Sequence, residues 1–377
     1  MKESKKRDPL KGVIAFTILF AILAAGAFYG ETRIKAMKDE QLTAMQSEVE
    51  ARNQQAQSQY QAALSEFEQQ TTSGANLAWP QQSMTGWDVV DLTSYPLENV
   101  TTTTLSRQEA MYEGMLLVNE WHSRPDDFLE DNLVSVSKAT ERKVSVKDNT
   151  VRLFPQAVEA LQSAIEDAGK EGLENYVAWE GYRSWDEQNT MFQAKMAKYS
   201  SLSEAEQIEK AKKEVNYPGT SEFNTGLTVD LRIYKQGDAT INNTSFFESE
   251  QGIWMYQNSW KYGLVFRFPL ADYPLKGTQD KSYKTGVSVK IRGFRYVGLG
   301  NAAAMHAMDL CLEEYIDYLS EHPHIAVFEN GILKYEIVRE YVGDVDPITI
   351  HVTQKPGVRS RSTSLDNMGY AVTVFSY

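Results

Sequence analysis

The sequence predicts an α+β protein carried behind an N-terminal apolar segment. Between residues 108 and 321, stretches with helical periodicity alternate with short runs rich in β-branched and aromatic residues. From 322 to 377 the pattern changes to simple alternation of apolar and polar positions, the signature of half-buried strands. Hydrophobic residues make up 42% of the 377 residues and aromatic residues 11%, enough for a sizeable packed core.

The N-terminus begins with a basic flank, Lys2, Lys5, Lys6, Arg7 and Lys11. An uncharged run, GVIAFTILFAILAAGAFYG, follows from Gly12 to Gly30. As a helix it spans about 28 Å, close to the thickness of a bilayer core. The positive flank predicts a cytoplasmic N-terminus, so that the rest of the chain, from Glu31 onward, lies outside the cell membrane. Residues 1–30 therefore read as a single-pass transmembrane anchor. The alternative is a signal peptide cleaved after Ala25–Ala27, and both readings export the rest of the chain.

Residues 31–75 read as a helical stalk. The stretch from Glu31 to Gln70 has no glycine or proline, and apolar positions step by three or four. The heptad is weak, which leaves open a parallel coiled-coil homodimer and a single helix. Residues 76–107 read as a linker. Within 108–321, helices are expected over EAMYEGMLLVNEW, FPQAVEALQSAIEDAGKEG, WDEQNTMFQAKMAKYS, LSEAEQIEKAKKEV, FFESEQGIWMYQNSWKYG and NAAAMHAMDLCLEEYIDYLSE, with Cys311 inside the last as a small core residue. Strands are expected over ENYVAWE, LTVDLRIY, LVFRFP and VKIRGFRYVG. Residues 322–377 read as a small β appendage with a hairpin turn at Glu329–Gly331.

The net charge of −13 argues against nucleic acid, because phosphate binding needs a basic surface. A single cysteine permits neither an intramolecular disulfide nor a cysteine-based zinc site. SVSK, Ser135–Lys138, and KTG, Lys284–Gly286, match two motifs of penicillin-binding serine peptidases, but no third motif stands between them and SVSK lies in an extended-looking stretch.

Five ordered segments carry a more specific signal: LLVNEWHSRPDDF, EGYRSWDEQNTMF, PGTSEFNTGLTVDL, WMYQNSWKYGLVFRFP and TGVSVKIRGFRYVG. On these, residues 108–321 resemble the VanY-type D-alanyl-D-alanine carboxypeptidases. The resemblance implies an antiparallel sheet packed with helices and a zinc peptidase that trims D-alanine from peptidoglycan stem peptides. It places a zinc-binding histidine at Phe223, a zinc-binding aspartate at Asp230, a second histidine at Gly293 and the general base at Lys290. Only Asp230 keeps a ligand. Catalytic zinc takes three protein ligands and leaves one position for water, which a glutamate base activates. No bound metal and no catalytic residue are therefore expected. Lys290 either brings its ammonium to Asp230 in place of the metal or faces solvent.

The resemblance further implies that Arg183 and Gln188 bind the substrate around its carboxylate and scissile carbonyl. Tyr182, Trp185, Ser221 and Asp230 line the same cleft, whereas Arg267 and Arg295 read as structural. Of the five histidines, His122 matches a non-ligand position and only the pair His322 and His324 has spacing that would suit a metal on a strand. Three functions remain open. The first is a membrane-anchored pseudoenzyme that binds a stem peptide or another cell wall protein and organises wall processing. The second is an active carboxypeptidase with an unrecognised site, and the third is an envelope scaffold whose cleft is filled.

Overall fold

The computed structural model describes residues 78–377, together with Ser47, Ala51, Gln54 and Ser58, which are helical and exposed. The anchor at 12–30, and all but these positions of the stalk and its dimer seam, lie outside the described residues. Among the described residues no helix is long and apolar enough to cross a membrane.

The strands in chain order are β1 (Trp87–Asp91), β2 (Val100–Leu105), β3 (Val134–Ser135), β4 (Ser145–Val146), β5 (Arg152–Leu153), β6 (Tyr176–Glu180), β7 (Thr228–Ile233), β8 (Leu264–Phe266), β9 (Gly293–Tyr296), β10 (His324–Glu329), β11 (Ile332–Tyr341), β12 (Ile348–Thr353), β13 (Ser360–Leu365) and β14 (Tyr370–Ser376). One five-stranded sheet has the order β4-β6-β7-β9-β8 and is antiparallel except for the β4–β6 pair. A second, β1-β10-β11-β14-β13, is antiparallel throughout.

The helix Pro155–Lys170 packs on the first sheet. Proline is well placed at its first turn, where no amide partner is needed. Ala157, Val158, Ala160, Leu161, Ala164 and Ala168 form its buried stripe, and the alanines let it approach closely. Helix Trp185–Met196 starts in a capping box, with Ser184 Oγ accepting from the Glu187 amide at 3.2 Å and the Ser184 amide donating to Glu187 Oε2 at 2.7 Å.

Several sequence expectations are corrected here. The expected linker at 76–107 contains β1 and β2, which pair with β10 and β12. Their partners lie far along the chain, so no local signal marks them as strands. The C-terminal residues are no separate appendage, because Ile325, Val327, Ile337, Val372 and Val374 share one apolar cluster with Met305, Leu312, Ile316 and Leu319. The expected helix at EAMYEGMLLVNEW stops at Tyr112. Gly114 follows with φ +125°, and an added Cβ would lie 2.7 Å from the Val297 carbonyl carbon. The expected final helix is two, Leu299–Met308 and Leu312–Glu321, broken at Asp309 with φ 53°. Cys311 therefore caps the second helix rather than sitting inside one, although it is buried as expected. The Asn330–Gly331 hairpin turn forms as read, with φ of 50° and 77°.

Candidate functional site

Strands β7 and β9 set the site. Their register pairs Asp230 with Gly293, bringing two of the three expected ligand positions face to face. The third, Phe223, lies in the short turn Glu222–Thr225 that precedes β7, and it is buried. Its carbonyl accepts the Arg183 amide at 2.9 Å, and the Arg183 guanidinium sits 5.0 Å from its ring. Glu180, which binds Arg183, pairs with Asp230 across β6 and β7.

Asp230 is buried and already engaged. Arg292 Nε donates to Oδ1 at 2.9 Å and Arg292 Nη2 to Oδ2 at 3.1 Å, a two-pronged pair. Arg232 Nη2 stands 3.5 Å from Oδ2. Lys290 does not take the metal's place at Asp230. It is exposed, with Nζ 5.3 Å from the centre of the Tyr273 ring. A guanidinium two residues further on holds the carboxylate instead. Opposite it, Gly293 offers no donor, and an added Cβ would meet the Phe268 ring at 3.3 Å. Phenylalanine, glycine and an arginine-bound aspartate do not make a zinc site.

The family model for D-alanyl-D-alanine carboxypeptidase of the VanY type matches residues 150–299. The bifunctional D-Ala-D-Ala dipeptidase and D-Ala-D-Ala carboxypeptidase VanXYC of Enterococcus gallinarum is 30% identical over 174 residues, 46% of this chain and 82% of the relative. The chain belongs to the VanY family. A D-alanyl-D-alanine carboxypeptidase of Enterococcus faecium is 29% identical over 280 residues, 74% of this chain and 80% of the relative. The vancomycin-resistance D,D-dipeptidase VanXYg shares the fold, with a TM-score of 0.53 at 23% identity over 73% of this chain and 99% of that one.

The other residues that VanY membership draws attention to are mostly buried. Arg183 donates Nε and Nη2 to Glu180 Oε1, at 2.8 and 2.5 Å, and Nη1 to Gln188 Oε1 at 2.5 Å. Gln188 is fully buried and gives its amide to the Asn216 carbonyl at 2.6 Å. Both expected substrate-binding groups therefore bind each other and the fold. Tyr182 bonds to Arg124 and Glu130, and burial pushes its hydroxyl pKa well up. Ser221 is buried, with its amide donating to Asn224 Oδ1 at 3.2 Å. Of the six residues, Trp185 alone is exposed, at 45%.

Arg267 and Arg295 are structural, as read. Arg267 bonds Glu222 at 2.8 Å and Glu313 at 2.6 and 2.9 Å, while Arg295 bonds Glu222 and the carbonyls of Gly114 and Leu116. All four side chains are buried. Burial alone would raise the Glu222 pKa, but the charges of Arg295 and Arg267 hold it below its usual value. The histidines make no metal site. His324 uses Nδ1 on the Tyr95 carbonyl and Nε2 on Glu336, and His322 bonds Asp91. His306 stacks on Trp260 at 4.0 Å. Among the described residues no three His, Cys, Asp or Glu side chains are grouped to hold a metal ion.

The serine-peptidase motifs also come apart. Lys138 is exposed on a four-residue helix, and Lys284 pairs with Asp317 at 2.7 Å. Sequence reasoning missed Arg292, Arg232 and Glu180. The available signal was the two extra arginines in LTVDLRIY and KIRG, one near Asp230 and the other next to Gly293.

Proposed function

We propose that this protein is a non-catalytic VanY-family member that binds peptidoglycan stem peptides or a cell wall partner and organises wall processing from the outer face of the membrane. One observation carries the reading: both oxygens of Asp230, the single retained ligand, are held by Arg292. A carboxylate so paired, opposite Gly293 and with Phe223 at the remaining expected position, offers zinc no adequate donor set. The apolar run at 12–30 would supply the anchor, and the stalk would supply distance from the bilayer or a dimer contact. A D-Ala-D-Ala-ended peptide is the ligand class suggested by the name of the Enterococcus gallinarum relative.

The test is zinc content of the purified protein by elemental analysis, with D-alanine release from a pentapeptide measured in the same sample. Neither zinc nor D-alanine is expected. One tightly held zinc with released D-alanine would overturn the reading in favour of an active carboxypeptidase. The engagement of Arg183 by Glu180 and Gln188 favours a second reading, a scaffold whose cleft has closed. Saturable binding of a D-Ala-D-Ala peptide would exclude the scaffold.

A further inference from the structure

The position that the family resemblance gives to zinc carries an excess of positive charge in a chain of net charge −13. Arg183, Arg232 and Arg292 stand around two carboxylates, Glu180 and Asp230, and Lys290 lies over the nearby Tyr273 ring. Glu180 bonds Arg183, and Asp230 faces both Arg232 and Arg292. Arg292 bonds both Asp230 oxygens and Arg232 stands 3.5 Å from one of them, so two like charges share one carboxylate.

The donors are also undersupplied with acceptors. Arg292 spends Nε and Nη2 on Asp230, and its side chain remains 33% exposed. Arg232 lies flat on Trp179, 3.9 Å from the ring centre, with its side chain 37% exposed. Its Nε is buried with no hydrogen-bond partner among the described residues. Lys290 has no ion-pair partner among the described residues, and the ring that it covers, Tyr273, feels the charges of Arg292 and Asp230. Two guanidiniums thus converge on one carboxylate at a partly open surface, with the Lys290 ammonium over the adjacent Tyr273 ring. Planar guanidiniums present paired N–H groups that match a carboxylate or phosphate edge.

We propose that this position is an oxyanion site, in which Arg232, Arg292 and Lys290 bind a carboxylate or phosphate group where VanY relatives would place a metal. A peptide C-terminal carboxylate as the source rests on the stem-peptide reading above, whereas a phosphate source does not. The site also replaces Arg183, whose guanidinium is buried against Glu180 and Gln188, as the carboxylate-binding group.

The experiment titrates the full-length chain by calorimetry with D-Ala-D-Ala, with its C-terminal amide and with inorganic phosphate. Arg232→Gln and Lys290→Gln are compared with the unaltered protein. Both leave the Arg292–Asp230 pair in place, and a melting curve for each checks folding. Binding of the free dipeptide is expected, with the amide at least tenfold weaker and each substitution costing about five- to tenfold, as for the loss of one partly exposed charge-assisted hydrogen bond. Phosphate binding sensitive to both substitutions, with no response to the dipeptide, supports the oxyanion site and sinks the stem-peptide reading. Dipeptide binding unchanged in both variants overturns the site and leaves the stem-peptide reading standing. Absence of binding by either anion overturns the site.

Discussion

Placing the family's residue types at the expected ligand positions should give weaker zinc binding while Arg292 is present than after its removal. Consider the triple substitution Phe223→His, Lys290→Glu and Gly293→His, which returns each altered position to the residue type the family resemblance assigns. Asp230 would still be bound by Arg292 through contacts of 2.9 and 3.1 Å. Zinc has to break that pair before it can use the carboxylate. Hydrogen bonds to charged groups are worth about 1.5–3 kcal/mol each, and exposure of one partner reduces this. With Arg292 one-third exposed, a total of about 1–2 kcal/mol is reasonable, a factor of roughly 5–30 in affinity. A histidine at 293 must also push the Phe268 ring, because its Cβ alone would lie 3.3 and 3.4 Å from two ring atoms. The assay is zinc affinity by chelator competition for the triple variant and for the same variant carrying Arg292→Ala, with melting curves on both. The quadruple variant is expected to bind zinc at least fivefold more tightly. Equal affinity would refute the claim that Arg292 locks Asp230. Absence of zinc binding by both folded variants would refute the assignment of Phe223 and Gly293 as ligand positions.

Three further outcomes follow from the packing. Arg267→Met removes the guanidinium bonded to buried Glu313 and one of the two bonded to Glu222, and should destabilise the fold by about 3–5 kcal/mol in urea unfolding; a loss below 1 kcal/mol would contradict the network described. Gly114→Ala combines a positive φ with a 2.7 Å approach to Val297 and should cost more than about 1 kcal/mol, read as a lower melting temperature. Glu336 is buried, which by itself raises its pKa, yet the hydrogen bond and charge of His324 and the Tyr377 hydroxyl bring it below the usual value. A depressed carboxylate stabilises the fold above its unfolded pKa of about 4.3, and the contribution disappears as pH falls through the folded value. The melting temperature should therefore drop below about pH 4.3, and Glu336→Gln should flatten that drop; an unchanged slope would count against the His324–Glu336–Tyr377 contact.

Much of the core was legible because its signals are local. The helix at Pro155–Lys170 announces itself by its apolar stripe and terminal glycine, and the hairpin at Asn330–Gly331 by its turn residues. The structural reading of Arg267 and Arg295 also held, since one follows and the other lies in a short strand flanked by apolar residues. The errors have one physical source. WDVVD and VTTTTL become strands through partners near the other end of the chain, and the break at Asp309 leaves Glu313 turned inward, where it meets Arg267. Neither the pairing nor the inward carboxylate has a sequence neighbour to betray it. The same holds at the site. Arg183 looked available for a ligand because Glu180 is three residues away across a turn, and only the fold shows its guanidinium spent there.

By itself the sequence determined the family resemblance and the expectation that Phe223 and Gly293 cannot serve as ligands, because residue type alone decides whether a side chain has a lone pair to give. It also determined the helical and hairpin segments whose periodicity is local. Only the tertiary structure decided what holds Asp230. The candidate in the sequence was Lys290, at the position of the family base. The group that holds Asp230 is Arg292, because the β7–β9 register sets Asp230 opposite Gly293 and lets the neighbouring arginine reach both carboxylate oxygens. A charge at a motif position says what a residue could do, and strand register decides which residue is close enough to do it.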